Sequence, residues 1–380
     1  MNDKPGKTNG SAPGGYGHDA KGAAGGATQG DGKPGVAHTA PADKVAAEGA
    51  GPKTVTFTLD GEEVHAREGE TIWQVAKRNG TDIPHLCYAP EPGYRPDGNC
   101  RACMVEIEGE RVLAASCIRT PTAGMKVKSA SDRAKTARKM VFELLISDQP
   151  DRSTSHDPAS KFWNWADRIE IASSRLPARE KDPAPDRSHV AMAVNLDACI
   201  QCNLCVRACR EVQVNDVIGM AGRGHNEKIV FDFDDPMGQS TCVACGECVQ
   251  ACPTGALMPS TLVDENNVRT AAHFPDRKVD SVCPYCGVGC QLTYNIKDDK
   301  LLYVTGKEGP ANQNRLCVKG RFGFDYVSNP QRITQPMVRK DGVAKAADDL
   351  VDPANPWTHF RTATWDEAME RAAAGLVKIR

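Results

Sequence analysis

Sixteen cysteines are the residues through which this chain could most readily do chemistry. Thiolates bind zinc, copper(I) and iron–sulfur clusters, whereas disulfides are disfavoured in a reducing compartment. The spacing of the cysteines along the 380 residues divides them into four sets of four. Metal binding is therefore the leading use that the sequence predicts for these thiols.

Two similar stretches supply eight of the cysteines. The segments CIQCNLCVRAC (199–209) and CVACGECVQACP (242–253) share the spacing C-x2-C-x2-C-x3-C and form an internal repeat. This is the run of two-cluster bacterial ferredoxins, in which the fourth cysteine of each run ligates the other cluster. It predicts two [4Fe-4S] clusters and disfavours zinc ribbons. The second set is therefore Cys199, Cys202, Cys205 and Cys252, and the third set is Cys209, Cys242, Cys245 and Cys248.

The first of these runs departs from the ferredoxin signature at one position. Arg210 stands where the signature has proline, whereas the second run ends in Pro253. Because this position shapes the turn and does not ligate iron, the predicted ligands are unchanged. Small residues suit such crowded loops, and Ala244 and Gly246 provide them in the second run.

Four further cysteines lie earlier in the chain, two of them as C-x2-C within one loop. The spacing is longer than the C-x4-C-x2-C run of plant-type two-iron ferredoxins. A [2Fe-2S] cluster is predicted, while a structural zinc site also fits one C-x2-C with two distant partners. This first set is Cys87, Cys100, Cys103 and Cys117.

The last four cysteines begin with the segment CPYCGVGC. Their spacing, C-x2-C-x3-C-x26-C, could hold a single [4Fe-4S] cluster without sharing ligands with another run. The fourth set is Cys283, Cys286, Cys290 and Cys317.

Strand and helix signals surround the first set. The segment VTFTLDGEEVHARE alternates apolar and polar residues about Asp60-Gly61, which predicts a hairpin. The segment ETIWQVAKRNG predicts a helix that ends at Gly80. A long loop from Ile83 to Cys103 and two short strands about Glu108-Gly109 follow. The residues predicted to face inward from the first helix are Ile72, Val75 and Ala76.

Two more helices are predicted from the apolar spacing. One spans 131–147, and the other is the final segment TWDEAMERAAAGLVKIR, which begins with a threonine cap. Since the chain stops within that helix, we expect the sequence to be cut short. The residues predicted to face inward from the earlier helix are Ala134, Ala137, Val141 and Leu144 or Leu145.

The predicted fold class is α+β with several domains. Residues 1–52 are rich in Gly, Ala, Pro, Lys and Asp, and are expected to be a disordered tail. A [2Fe-2S] ferredoxin-like domain is predicted over 53–130, and a two-[4Fe-4S] ferredoxin-like domain over 191–270. The other predicted ranges are a helical connector at 131–190, with an aromatic patch, and the start of a further [4Fe-4S] domain at 276–380.

Composition narrows the classes of function and location. The formal net charge is −2, so no basic footprint suggests a nucleic-acid partner. No run of about 18 apolar residues predicts a membrane span. The amino terminus lacks the apolar core of a secretory signal, which predicts a cytoplasmic protein. No P-loop, catalytic triad or dinucleotide fingerprint is present.

The first and fourth sets resemble two known kinds of domain. The first set resembles the variant two-iron ferredoxin domain at the front of the large peripheral subunit of complex I and of related hydrogenases and formate dehydrogenases, which implies a β-grasp fold. The fourth set resembles the cluster at the front of molybdenum or tungsten bis-pterin oxidoreductases, above all formate dehydrogenases. The segment TWDEAM matches this family too. The resemblance implies that Lys319, two residues after Cys317, lies between cluster and pterin and serves electron transfer.

The same relatives carry a further cluster that this chain is expected to have lost. In complex I and many hydrogenases its ligands follow the pattern H-x3-C-x2-C-x5-C. Here His156 is in place, but Ser160, Trp163 and Ile169 stand at the cysteine positions. Neither Trp nor Ile can ligate iron, so we expect aromatic packing in place of this cluster and a loop or capping role for His156.

Residues 53–380 thus resemble the front of the alpha subunit of a soluble NAD-linked formate dehydrogenase. This implies oxidation of formate to carbon dioxide at a molybdenum or tungsten bis-pterin guanine dinucleotide centre. One [2Fe-2S] and three [4Fe-4S] clusters would pass electrons to a flavin subunit that binds FMN and NAD, with a small [2Fe-2S] subunit as a possible partner. The catalytic residues are expected downstream of this chain, which alone should carry electrons without turning over formate.

Other readings of the sequence stay open. A complex I or NAD-reducing hydrogenase subunit would share the early architecture but should have the histidine-and-three-cysteine site. An assimilatory nitrate reductase would share only the last module, and a stand-alone ferredoxin would end soon after residue 260. A structural zinc protein is the non-redox alternative, which visible absorption would distinguish.

Overall fold

The computed structural model describes residues 54–179 and 183–380. The predicted disordered tail lies outside these residues. Among the described residues no helix is long and apolar enough to cross a membrane.

The amino-terminal part is a five-stranded mixed sheet with one helix packed on it. The predicted hairpin about Asp60-Gly61 is confirmed, and both turn residues have the positive φ that its tight turn requires (53° and 95°). The strand order is β2-β1-β5-β3-β4, with β1 and β5 parallel. The elements are β1 (Thr54–Leu59), β2 (Glu62–Arg67), α1 (Ile72–Arg78), β3 (Met104–Ile107), β4 (Ala114–Ala115) and β5 (Lys126–Lys128).

Helix α1 is placed by its cap and its apolar face. Thr71 and Gln74 form a capping box, and Gly80 follows the C-cap residue with φ 81°. The predicted inward residues are all buried, and Trp73 joins them with its Nε1–H donating to the Ile83 carbonyl at 3.0 Å. This contact ties the helix to the start of the long loop that carries Cys87.

Two helices follow the sheet, α2 (Asp132–Ser147) and α3 (Lys161–Arg168). The inward face predicted for α2 was partly wrong. Leu144 is 56% exposed, whereas Arg138 and Phe142 are buried. The contacts of α2 with its neighbours explain this difference. Arg138 donates to the Met104 carbonyl of β3 at 2.9 Å, and Phe142 stacks on an aromatic side chain of α3. The other predicted inward residues, Ala137, Val141 and Leu145, are half-buried, and Ala134 is buried.

The tandem cysteine runs lie in a compact unit of short elements. Strands β6 and β9 pair antiparallel, as do β7 and β8, and the third cysteine of each run lies within a short helix. The elements are β6 (Met192–Val194), α4 (Leu204–Arg207), β7 (Ile218–Ala221), β8 (Lys228–Phe231), α5 (Glu247–Ala251) and β9 (Leu257–Pro259).

The carboxy-terminal part is built on the three-stranded antiparallel sheet β10-β11-β12. Helix α7 starts at its predicted cap, where the Thr364 hydroxyl accepts from the Glu367 N–H at 3.2 Å, and none of its residues is buried. The elements are β10 (Arg277–Val282), β11 (Gln291–Lys297), β12 (Lys300–Gly306), α6 (Val318–Phe322), β13 (Met337–Arg339), β14 (Phe360–Thr362) and α7 (Trp365–Ile379).

Candidate metal centres

The first set is assembled by the long loop and by the pairing of β3 with β4. Cys103 precedes β3 and Cys117 follows β4, so the register that pairs Met104 with Ala115 brings the two thiols together. The Cys87 N–H donates to the Cys100 sulfur at 3.4 Å. Cys100 is half-buried and the other three cysteines are buried.

The thiols of the first set lie within hydrogen-bond reach of one another. Hydrogen bonds from the Cys100 and Cys117 thiols lower the pKa of Cys87, and a hydrogen bond from Cys117 lowers the pKa of Cys103. The pKa values of the two donors are raised by these same contacts. Four sulfurs in one contact group, three of them from buried cysteines, fit the four thiolates that a [2Fe-2S] cluster needs.

Two cavities are lined by the cysteines of the tandem runs. The first, of about 320 Å³ including space open to solvent, is lined by all four cysteines of the second set. The second, of about 310 Å³, is lined by all four of the third set. In each cavity three cysteines come from one run and the fourth comes from the other, as the shared-ligand arrangement requires.

The two cysteine loops have the same backbone geometry. Each loop has two left-handed residues at equivalent positions, where a non-glycine residue is uncommon. The N–H of the first of them donates to the cysteine sulfur two residues earlier, at an N···Sγ distance of 3.4 Å in both loops. Such bonds to cluster sulfurs are one means of setting a reduction potential. The equivalent pairs are Gln201 (φ 52°) with Ala244 (φ 55°) and Asn203 (φ 63°) with Gly246 (φ 70°).

The fourth cysteine of each run is placed by a different helix end. Cys252 is the C-cap of α5, which ends there because Pro253 has no N–H to continue the helix. Cys209 instead lies in a π-helical turn over 208–212 that continues α4. Arg210 is exposed on this turn. The departure from the proline signature therefore changes the helix end while Cys209 still lines the cavity of the third set.

Burial raises the pKa of several thiols around both cavities. The pKa of Cys199 is raised to about 11, and those of Cys205 and Cys248 well above the ordinary value. Charges on neighbouring thiolates act in the same direction. Since the thiolate is the metal ligand, the positive charge of bound iron would offset this penalty. The chemistry of the donor sets therefore fits iron–sulfur clusters.

The fourth set gathers at the β10–β11 turn and the start of α6. The Cys283 N–H donates to the Cys290 carbonyl at 2.8 Å and closes the turn. Cys317 is the N-cap of α6, and a Cβ on Gly320 would lie 3.5 Å from the Cys283 sulfur. Burial, followed by the charges of the other three thiolates, raises the pKa of Cys290. The four thiols are thus brought together, although Cys286 and Cys317 are exposed.

The sulfurs of the second and third sets surround cavities. Among residues 54–179 and 183–380, no group of three or more His, Cys, Asp or Glu side chains is placed to hold a single metal ion. The sets that line the two cavities have the arrangement expected around a multi-atom cluster.

The region of the expected lost cluster is an aromatic core. Phe162 and Trp163 of α3 are buried and pack with Phe142, and with Leu86 and Ala102 from the loop of the first set. Ile200 of the first cysteine run packs against the same group. Ser160 caps α3 by accepting from the Trp163 N–H at 3.4 Å, and Ile169 is its C-cap.

His156 is occupied by protein partners at both ring nitrogens. Its Nδ1–H donates to the Asn267 carbonyl at 2.6 Å, and Nε2 lies 2.7 Å from an Asp197 carboxylate oxygen. Burial lowers the pKa of His156, but the bonds to Asp197 and Asn267 outweigh it and the net shift is upward. Two acceptors favour the doubly protonated ring, which cannot ligate a metal.

Besides Arg138, two buried arginines beside the cysteine sets were missed by the sequence reasoning. Arg207, inside the first cysteine run, is 2% exposed, and Arg321, in α6, is 3% exposed. Lys319, which the sequence singled out, is exposed on α6. A charged residue within a cysteine run was the one available signal for Arg207, whereas the burial of Arg321 depends on contacts with α5.

Three family models match the chain. A 2Fe-2S iron-sulfur cluster binding domain matches residues 52–132, a 4Fe-4S dicluster domain matches 198–256, and a molybdopterin oxidoreductase Fe4S4 domain matches 276–329. These matches confirm that the chain carries a 2Fe-2S domain and 4Fe-4S domains in a mixed α/β architecture. Four points stay predictions: the number of clusters, their individual ligands, the β-grasp assignment and the domain limits.

Curated relatives match most of this chain. An NADH-quinone oxidoreductase subunit of Rhizobium meliloti is 31% identical over 76% of the chain and 33% of its own length. "Probable oxidoreductase YjgC" of Bacillus subtilis is 27% identical over 87% and 35%. "Putative formate dehydrogenase SH0748" of Staphylococcus haemolyticus is 26% identical over 85% and 34%. The chain thus spans about a third of the length of these relatives, which support iron–sulfur electron transfer in an oxidoreductase.

Proposed function

We propose that this chain is the electron-relay part of the alpha subunit of an NAD-linked formate dehydrogenase. The first set would hold a [2Fe-2S] cluster, and the second, third and fourth sets would each hold a [4Fe-4S] cluster. Bound clusters supply one-electron transfer, and a molybdenum or tungsten bis-pterin centre in the full-length subunit would supply formate oxidation. The chain's own residues hold the clusters apart, donate hydrogen bonds to their sulfurs and exclude water.

The observation that carries the proposal is the crossed lining of the two cavities. Each cavity has three cysteines from one run and one from the other. A pair of zinc ribbons would use the four cysteines of each run separately, whereas two [4Fe-4S] clusters share them in this way.

Packing between the sets supports a continuous relay. Cys87 of the first set belongs to the same hydrophobic core as Cys202 and Cys205 of the second and Cys248 of the third. Gln250 of α5 donates to the Asn314 carbonyl at 3.0 Å and so joins the third set to the carboxy-terminal part. Burial of this kind excludes water and is one of the factors that set cluster potentials.

The proposal that formate is the substrate rests on the carboxy-terminal part and on the names of distant relatives. The molybdopterin oxidoreductase model matches residues 276–329, and two of the relatives named above carry oxidoreductase or formate dehydrogenase names over more than four-fifths of the chain. A flavin- and NAD-binding subunit is the partner proposed, with a small [2Fe-2S] subunit as a further one. In this proposal Lys319 serves electron transfer between the fourth cluster and the pterin.

The first experiment counts iron in the anaerobically purified chain. We expect about 14 irons, from one two-iron and three four-iron clusters, and four EPR signals after stepwise reduction. A colourless folded protein that contains zinc in place of iron would contradict the proposal. A count well above 14 would show that a further cluster occupies the region of His156.

The second experiment tests the crossed ligands with serine variants. Cys252→Ser should affect the same EPR signal as Cys202→Ser, and Cys209→Ser the same signal as Cys245→Ser, because the fourth cysteine of each run serves the other cavity. If Cys252→Ser instead affected the same EPR signal as Cys245→Ser, each run would hold its own cluster.

An NADH-quinone oxidoreductase component is the second candidate. The 31% identity to the Rhizobium meliloti relative favours it. Activity assays of the full-length protein with its partners distinguish the two candidates. Formate-dependent reduction of NAD would support the first candidate. NADH-dependent reduction of a quinone, without formate activity, would support the second.

A further inference from the structure

We infer that Arg207 and Arg321 are positioning residues that join successive cluster-binding loops and raise the reduction potentials of the clusters on either side of them. Arg207 would act between the first and second sets, and Arg321 between the third and fourth. This inference rests on the proposed function, because it requires that the four sets hold clusters.

Arg207 contacts the loops of the first two sets at once. Its Nη2–H donates to the Cys87 carbonyl at 2.6 Å and to the Cys202 carbonyl at 3.3 Å. Nη1 lies 2.7 Å from an Asp97 carboxylate oxygen and donates to the Arg95 carbonyl at 3.0 Å. One guanidinium thus bonds to the peptide of a cysteine in each set, and fixes the separation of the two loops.

The Nε–H of Arg207 is also buried. Among the described residues it has no acceptor. Such a donor carries a full desolvation cost unless some group accepts from it. A sulfur of a neighbouring cluster would be a suitable acceptor.

Arg321 makes the corresponding contacts between the last two sets. It lies one turn after Cys317 of the fourth set, and its backbone N–H donates to the Cys317 carbonyl at 3.0 Å. Its side chain donates through Nε to the Cys245 carbonyl of the third set at 2.8 Å. The guanidinium also pairs with Glu247 at 3.2 Å and donates to Gln250 at 2.8 Å.

The position of the Arg321 side chain explains why residue 246, in the loop of the third set, is glycine. A Cβ on Gly246 would lie 2.2 Å from Cδ of Arg321, and Gly246 also has a φ of 70°. Only glycine satisfies both the backbone conformation and the close approach. The loop of the third set is therefore shaped around this arginine.

Arginine suits this task better than lysine. Its planar guanidinium presents several donors in a fixed fork, so that one side chain can bond to two loops, while lysine has one rotatable charge. Burying a charge is costly and is tolerated only with close partners, which the carboxylates and carbonyls provide. In such surroundings charges interact strongly, and a positive charge favours the reduced, more negative state of a neighbouring cluster.

The test compares the variants Arg207→Gln and Arg321→Gln by EPR-monitored redox titration of the anaerobic chain. Arg207→Gln should shift the midpoint potentials of the first and second clusters downward and leave the other two in place. Arg321→Gln should lower those of the third and fourth. Each variant is thus the control for the other. Arg371→Gln, at an exposed arginine of α7 outside all four sets, should shift none of the four potentials.

The lysine variants separate charge from position. Arg207→Lys and Arg321→Lys should keep the potentials close to wild type, but hydrogen exchange of the two loops that each arginine joins should become several-fold faster. If a glutamine variant loses its clusters, the midpoint potentials and the hydrogen-exchange rates can still be measured in the lysine variant.

The outcomes distinguish this inference from the proposed function. Wild-type chain without iron would overturn the proposed function. A loaded glutamine or lysine variant with wild-type potentials and wild-type exchange would overturn the role of the arginines alone, as would equal shifts at all four clusters.

Discussion

At the scale of single residues, left-handed backbone and buried charge decide what the cysteines can do. Asn203 and Gly246 occupy the same loop position and share a positive φ, although only one is glycine. Asn tolerates this conformation better than most residues, which explains how two different residues serve one geometry. The difference is that Gly246 also faces Arg321.

Gly246→Ala should therefore be more disruptive than an ordinary glycine substitution. An alanine in the left-handed conformation lowers the free energy of unfolding by about 1 kcal/mol, and the close contact of its Cβ with Arg321 lowers it further. We expect loss or weakening of the EPR signal of the third cluster. Gly109→Ala is the matched control, because Gly109 has φ 84° with no atom within 4 Å of a Cβ. Equal effects of the two variants would show that only the backbone conformation matters.

His156 should make stability depend on pH. Its pKa is raised in the folded protein, so the stabilisation is fully present below its ordinary value of 6.5 and is lost as the pH rises through the raised value. His156→Gln should lower the free energy of unfolding by about 1.5–3 kcal/mol at pH 6, and by less at pH 8.

Urea unfolding of the loaded chain at both pH values measures this effect. His65→Gln, at an exposed position, is the control. Iron content should not change in His156→Gln, whereas a loss of about four irons would show that His156 holds a cluster.

At the scale of elements, helix α3 forms a packed interface in the region where the sequence pattern predicted a lost cluster. Its aromatic side chains contact α2 and the loop of the first set, with the Phe142 and Phe162 rings stacked at 5.5 Å. The helix thereby supports the loop that carries Cys87 and Cys100 with the apolar contacts of a core. The position of α2 follows from the same contacts.

Phe162→Ala should test this interface. Phe162 is fully buried, and a large-to-small change at such a site costs about 3–5 kcal/mol. We expect a lower urea midpoint and a weakened signal from the first cluster. Phe233→Ala is the control, because Phe233 is 97% exposed. An unchanged midpoint in Phe162→Ala would mean that α3 does not stabilise this part of the chain.

At the scale of the whole molecule, three of the four cysteine sets share one hydrophobic core. Cysteines of the first three sets belong to one hydrophobic cluster, and the fourth set has a small core of its own with Leu292 and Val304. Under the proposed function, electrons would pass between the first three sets through this shared core.

The chain of residues 1–380 should accept electrons from dithionite but not from formate. The matched part of the molybdopterin oxidoreductase is its Fe4S4 domain, and that is the part that binds a cluster. We expect dithionite to bleach the visible absorption of the oxidised clusters, and formate to leave it unchanged. Bleaching by formate would show that this chain itself holds a formate-oxidising site.

The sequence alone determined the four sets of cysteines and the elements nearest to them. Cysteine spacing is strongly constrained by cluster chemistry, and the hairpin about Asp60-Gly61, α1 and the cap of α7 depend on local signals that are legible in a few residues. The sequence also led to the suggestion that Trp163 and its neighbours fill the place of a missing cluster.

The tertiary structure decided what the charged residues do and which faces are buried. Arg138, Arg207 and Arg321 are buried because distant carbonyls and carboxylates accept their hydrogen bonds, and no local pattern predicts such partners. The inward face of α2 was misread for the same reason. Whether the fourth cysteine of each run reaches the cavity of the other run also depends on folding, because Cys252 must approach residues more than 40 positions earlier in the chain and Cys209 residues more than 30 positions later.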